Sequence, residues 1–164
     1  MPEIDGHVTV TREKATPVDE DARFPVLIVD DEAFIAHAAA RALRAEGLLV
    51  ETCLDWLDIS KAVHRLRPRL ILLDVNMPTI SGRDVCTILR AHTKNFPAPP
   101  RIVFYSAEPE EDLSRYVVSC GADGFIHKST PVSEFVRRVR MELSLAGRGR
   151  RQDPGEEHLR PSLG

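Results

Sequence analysis

No apolar run in this chain approaches the roughly 20 residues of a membrane-spanning helix. The first 23 residues are polar and acidic, without the apolar centre of a secretion signal. A cytoplasmic location and no membrane contact are therefore expected. Cysteine is scarce. Cys53, Cys86 and Cys120 are an odd, widely spaced set with no C-x-x-C pair. That argues against a disulfide or zinc framework and for reduced, buried thiols. The six histidines never stand four apart, so a histidine metal site on one helix face is not expected. Charge of one sign is lacking too. A net charge of −3 gives no general attraction to nucleic acid, and no nucleic-acid partner is expected. G-x-G-x-x-G and P-loop motifs are both absent, which argues against the common nucleotide binders.

What the chain does have is Leu70-Ile71-Leu72-Leu73 running into Asp74, between Pro68 and Pro78. The run is short and does not alternate, as in a central parallel strand buried on both faces. Asp74 then stands at the carboxyl end of that strand, where open α/β sheets bind their ligands. On its own it reads equally well as a turn residue before Pro78.

Further strands are expected over residues 24–29, 48–53, 102–105 and 124–127. Helices are expected over residues 33–46, stopped by Gly47, and over 56–66, stopped by Pro68. A third covers 83–92 with Val85, Ile88 and Leu89 inward. A fourth runs from Pro109 to Cys120, with acids in its first turn and Gly121 as its stop. The last follows Pro131, with Val132, Val136, Val139 and Leu143 as its apolar stripe. Strand and helix alternate five times, which argues for a parallel sheet with helices on both faces. The expected layout is a flexible arm over residues 1–23, one α/β domain over 24–146 and a disordered tail over 147–164.

In a parallel sheet Asp30, Asp31, Asp74, Ser106 and Lys128 all stand at strand ends along one edge. Three carboxylates there repel one another, so either one keeps a proton or a cation joins them. An all-oxygen set suits a hard ion, magnesium above all. A hydroxyl and an ammonium opposite suit the oxygens of a phosphoryl group, whose transfer needs positioning and neutralised charge. An aspartate can accept such a group covalently. Taken singly, the residues have plainer uses. Asp30 or Asp31 would cap the next helix, Ser106 would make a turn, and Lys128 would sit in solvent.

Four segments carry a family resemblance: Val-Leu-Ile-Val-Asp30-Asp31-Glu32, Leu-Leu-Asp74-Val-Asn-Met-Pro78 with Gly82, Phe-Tyr-Ser106-Ala, and Gly121-Ala-Asp-Gly-Phe125-Ile-His-Lys128. Each is weak alone; in this order they are specific. The sequence resembles the receiver domain of two-component response regulators, of the single-domain, chemotaxis-like type. The resemblance implies a flavodoxin-like (βα)5 three-layer sandwich, with a parallel five-stranded sheet of order 2-1-3-4-5. It makes Asp74 the phosphoacceptor. It assigns magnesium to Asp30, Asp31, Asp74 and the Asn76 backbone carbonyl. Ser106 and Lys128 would hold the phosphoryl group, Ser106 and Phe125 would move on activation, and Asn76 and Glu108 would tune hydrolysis. A histidine kinase is the implied donor, and the chain is no enzyme beyond its own phosphorylation and dephosphorylation. The face of the fourth helix, fifth strand and fifth helix is the implied partner surface; Phe125 lies on it, and Arg115, Arg137, Arg138 and Arg140 would make it basic and suited to an acidic partner patch. Residues 147–164 are too few for a DNA-binding module, so output through another protein, or onward transfer in a relay, is expected. A receiver-fold scaffold that is never phosphorylated is the rival reading. One departure from the family pattern is Ser129, where proline usually follows the lysine; a trans bond is expected there. His127 is expected to be a packed or edge residue.

Overall fold

The structure is a computed structural model, and residues 24–148 are described. The expected N-terminal arm lies outside the described residues; of the expected tail, residues 147–148 are instead the end of the last helix, and the remainder lies outside them. Strands β1 (Val26–Val29), β2 (Val50–Cys53), β3 (Leu70–Leu73), β4 (Arg101–Ser106) and β5 (Gly124–His127) alternate with helices α1 (Ala33–Ala45), α2 (Ile59–Leu66), α3 (Gly82–Thr93), α4 (Glu110–Cys120) and α5 (Val132–Arg148). All strand pairs are parallel, in the order β2-β1-β3-β4-β5. No helix among the described residues is long and apolar enough to cross a membrane.

Covering both faces explains the unbroken apolar strands. Val26, Ile28, Leu70 and Leu72 turn toward the core that α1 and α5 close with Ala36, Ala40, Leu43, Val139 and Leu143. Leu27, Val29, Ile71 and Leu73 turn to the other side, where Val63, Val85, Leu89 and Leu113 of α2, α3 and α4 cover them. Each such side chain contributes about 1.5–3 kcal/mol by leaving water, so every strand residue of β1 and β3 anchors the edge they end on.

The register aligns that edge. Val29 stands beside Leu73, Leu73 beside Phe104, and Ser106 beside His127. One residue past each strand come Asp30, Asp74 and Lys128.

At the opposite end of β5, Asp123 accepts the Ile102 N–H at 2.8 Å and pairs with Arg90 and Arg101, and Arg101 pairs in turn with Glu142 at 2.7 Å. These charges tie α3, β4 and α5 around the start of β5.

Helix ends follow local chemistry. Gly47 (φ +83°) and Gly121 (φ +73°) stop α1 and α4 in the left-handed region that glycine tolerates. Residues 56–66 are not one helix, as the sequence suggested. Asp55 accepts the Leu57 N–H at 3.0 Å and starts a 3-10 turn, Trp56–Asp58, before α2 begins. Before Pro68, Arg67 ends α2 at φ +48°, an uncommon conformation for a residue with a side chain.

Two expected core residues are also corrected. Ile88 is 43% exposed, because Val85, Cys86 and Leu89 take the inward stripe of α3. Val132 is 65% exposed at the first residue of α5, and Phe135, at 3%, supplies the buried contact instead. Phe135 stacks on Tyr105 with ring centres 5.1 Å apart.

Candidate functional site

The strand ends bring together what the sequence placed apart. Asp30 and Asp74 are almost fully buried, at 1% and 2% exposed, and Ser106 is fully buried. Asp31 faces solvent. One carboxylate oxygen from each of Asp30, Asp31 and Asp74 lies within 4.8 Å of the other two. Lys128 enters from β5, with its ammonium 2.7 Å from Asp30 Oδ2 and 3.3 Å from Asp74 Oδ2. Glu32 stands 3.9 Å from the same nitrogen but is exposed.

The second oxygens are held by backbone. Asp30 Oδ1 accepts the Glu32 N–H at 2.9 Å, and Asp74 Oδ1 accepts the Asn76 N–H at 3.3 Å. Asp30 thus fixes the loop ahead of α1, while Glu32 at the cap position contributes no side-chain bond. The helix-cap reading of Asp31 finds no support there. Apart from the Lys128 ammonium, no hydrogen-bond donor reaches Asp30 Oδ2 or Asp74 Oδ2, although both atoms are buried. Two buried carboxylates that must share one ammonium are costly.

Burial holds the Asp74 carboxyl above the usual carboxylate range, and Asp30 adds to the rise. Lys128 and the Asn76 amide oppose it without cancelling it. For Lys128 burial works the other way, but the bond to Asp30 and the charges of Asp74 and Asp30 win, and its ammonium is held above the ordinary range. The site therefore sets one ammonium among several carboxylates. An all-oxygen set in which two buried oxygens share a single ammonium fits a hard divalent cation, and fits zinc or copper poorly.

The approach to Asp74 is shaped by Gly82. A Cβ there would run into the Asp74 carbonyl oxygen and stand 2.7 Å from Val75 Cα. The Gly82 N–H also bonds the Val75 carbonyl at 2.9 Å. The N-terminus of α3 is thus pressed directly against the backbone that carries Asp74, which only glycine permits.

Around the mouth, the Asn76 side chain donates to Glu108 at 2.6 Å, so the two expected hydrolysis-tuning positions touch each other. The Ser106 hydroxyl accepts the Glu108 N–H at 3.3 Å. Phe125 is half-buried against the α2–α3–α4 core and lines a groove with Ser114, Val117, Arg138 and Met141.

The four arginines expected on the face of α4, β5 and α5 have different neighbours. Arg115 pairs with Asp112 and Arg137 with Glu134, each on its own helix. Arg140 reaches the Glu46 carbonyl at the end of α1, 2.8 Å away, because α5 also packs against α1. Of the four, Arg138 alone lines the groove, whose wall is mainly apolar.

The contact that sequence reading missed is at His127. Its Nδ1 meets Ser129. The signal was available in the serine that stands where proline is usual. No cis peptide bond occurs among the described residues, so the Lys128–Ser129 bond is trans.

A doubly wound parallel sheet whose carboxyl edge carries paired acids, a buried aspartate, a hydroxyl and a lysine defines an α/β protein of the receiver class. The chain matches the response regulator receiver domain over residues 26–140 and belongs to that family. Receiver domains take phosphoryl groups from histidine kinases in two-component signalling.

Among curated relatives, the transcriptional regulatory protein PrrA of Mycobacterium leprae is 33% identical over 122 residues, covering 74% of this chain and 51% of that protein. The DNA-binding response regulator MtrA of Mycobacterium tuberculosis is 36% identical over 118 residues, covering 72% and 50%. The chain spans about half the length of these relatives. Among solved structures, a CheY-like receiver domain protein of Methanospirillum hungatei superposes with a TM-score of 0.66 at 21% identity, over 77% of this chain and 98% of that one. Chemotaxis protein CheY4 of Vibrio cholerae gives 0.63 at 24%, over 73% and 98%. At these identities the likeness is one of fold.

Proposed function

We propose that this receiver accepts a phosphoryl group on Asp74 from the phosphohistidine of a partner histidine kinase and signals by altered binding to another protein. The observation that supports this most is the pair of buried carboxylates, Asp30 and Asp74, facing one half-buried ammonium at 2.7 and 3.3 Å. A structural ion pair needs one acid. The second buried acid destabilises the resting fold, and its use is as an acceptor.

In the transfer, an Asp74 oxygen forms the O–P bond as the donor's N–P bond breaks, and the donor imidazole leaves. Lys128 is placed to pair with the phosphoryl oxygens, which replace part of the lost carboxylate charge beside it. Ser106 reaches the group by giving up its bond from the Glu108 amide. Asp30, Asp31, Asp74 and the Asn76 carbonyl are the residues that would hold magnesium. Bound there, the ion would neutralise acid charge and polarise the phosphoryl oxygens. The chain itself supplies the groups for acceptance and later hydrolysis and turns over no other substrate.

Phosphorylation then shifts a standing equilibrium at the surface around Phe125. The mainly apolar groove of Ser114, Val117, Phe125 and Met141 suits an apolar partner segment better than an acidic one. Incubation with acetyl phosphate, with and without magnesium, tests the reading by intact mass beside Asp74→Asn. One added phosphoryl group that requires magnesium and is missing in the variant is the expected result. No gain in the folded wild type would replace this reading with the scaffold one.

A further inference from the structure

We propose that His127 is a positioning residue for Lys128, holding a turn that this chain closes with a side chain instead of a proline ring. The inference rests on the phosphoacceptor reading above and concerns the same site.

Lys128 is the first residue beyond β5. Its N–H still reaches back to the Ser106 carbonyl at 2.9 Å, so its strand side is fixed by the β4 ladder. Its other side is a four-residue turn from His127 to Thr130, closed by the Thr130 N–H on the His127 carbonyl at 3.0 Å. Lys128 and Ser129 are the two central residues of that turn. A proline in the second of these places would lock its own φ through the ring and carry no N–H. Ser129 has a free φ and an N–H to satisfy, and it is exposed.

His127 answers both needs. Its Nδ1 accepts the Ser129 N–H at 3.1 Å and lies 2.6 Å from the Ser129 hydroxyl. An amide only donates, so Nδ1 carries its lone pair, the hydroxyl donates to it as well, and the ring proton sits on Nε2. One residue thus grips the turn three times: the Thr130 amide by its carbonyl, the Ser129 amide and the Ser129 hydroxyl by its ring. Between these grips and the β4 ladder, the Lys128 backbone has little freedom. Its side chain is only 12% exposed and ends 2.7 Å from Asp30 and 3.3 Å from Asp74. A relaxed turn moves that ammonium and leaves the three acids where they are, since Asp30, Asp31 and Asp74 belong to β1 and β3 loops. The expected loss is therefore selective: weaker hold on a phosphoryl group, unchanged hold on a cation.

Beryllofluoride, a phosphoryl analogue, is the probe, titrated at saturating magnesium into wild type, His127→Phe and His127→Asn. Phenylalanine keeps an aromatic ring and removes the acceptor. Asparagine offers an oxygen to an amide two residues on, as in an Asx turn. His127→Phe should weaken beryllofluoride binding about three- to tenfold, and His127→Asn should restore it to within about twofold of wild type. Magnesium affinity, measured alone by calorimetry, should stay within about twofold in all three. Wild-type beryllofluoride affinity in His127→Phe overturns the proposal. So does a His127→Asn protein as weak as His127→Phe, which would point to ring packing, or an equal loss of magnesium affinity, which would point to general loosening. A wild type that binds magnesium but neither beryllofluoride nor a phosphoryl group from acetyl phosphate fails the phosphoacceptor reading itself, and the inference falls with it.

Discussion

Without metal, removing the Asp74 charge should stabilise the fold. Asp74 is 2% exposed and its ionised form meets influences of both signs. Desolvation disfavours it most. Asp30 repels it across at most 4.8 Å, about 3.5 kcal/mol at an effective dielectric near 20. Lys128 attracts it across 3.3 Å, about 5 kcal/mol on the same scale. Asp31 adds a smaller repulsion, since solvent screens it. The attraction exceeds the repulsion by about 1.5 kcal/mol on this scale, and desolvation, the largest influence, decides the sign. Asparagine removes the penalty without orphaning the lysine, which keeps Asp30 at 2.7 Å. A gain of about 1–2 kcal/mol for Asp74→Asn follows at neutral pH in EDTA.

The pH dependence follows from the raised carboxyl. The unfolded chain loses this proton near its ordinary value of about 3.9, and the folded chain loses it at higher pH. Between those points the folded state binds more protons, so wild-type stability falls as pH rises. The advantage of Asp74→Asn should therefore vanish in acid and grow toward neutrality. Magnesium should reverse it, because wild type gains about 2.7 kcal/mol at a hundred times the dissociation constant, while the variant has lost a ligand. Urea unfolding followed by circular dichroism measures both. A variant no more stable than wild type in EDTA at pH 7.5, or an advantage that magnesium leaves intact, would refute the charge argument.

Other perturbations probe separate parts of the structure. Gly82→Ala has no room beside the Asp74 carbonyl; it should lower stability by about 1–3 kcal/mol in urea melts and slow phosphoryl acceptance, because the backbone of Asp74 must shift. Asn76→Ala and Glu108→Ala each break the 2.6 Å contact at the mouth; each should slow phosphoryl decay about threefold or more if those polar groups orient the attacking water, as measured by timed intact mass. Burial pushes the Cys86 thiol up to about 11, so at pH 8 iodoacetamide should label half-exposed Cys120 well before buried Cys86 or Cys53; peptide mass mapping reads the order.

The strands were legible because each is a short apolar block ended by a charge, proline or glycine. Burial on both faces leaves no other reading for Leu70 to Leu73. Helix interiors were less so. On α3 the apolar set Val85, Cys86, Ile88 and Leu89 is wider than the buried stripe, and sequence alone does not say that a cysteine outranks an isoleucine for the inward place. Phe135 escaped for a similar reason, since Val132 and Val136 made an equally regular stripe until the sheet showed which part of α5 lies over it. The Trp56 turn was hidden because a 3-10 start and an α-helix share their first residues' pattern, and only the Asp55 cap separates them.

The site shows the same division at closer range. Residue types at strand ends were enough to gather Asp30, Asp74, Ser106 and Lys128, because a parallel sheet sends every strand end to one edge. Nothing in the types told that Arg140 would cross to α1 while Arg138 stayed at the groove. A long, flexible cation takes the nearest carbonyl or acid that tertiary packing offers, and its address is settled last. His127 is the instructive intermediate. Parity alone sends its ring away from the acids, which makes it look idle. The serine after Lys128 creates an amide that a proline would not have, and an amide at a turn needs an acceptor. The histidine two residues earlier is within reach of it, so a departure from a familiar motif and an apparently idle neighbour are parts of one arrangement, visible only when both are considered together.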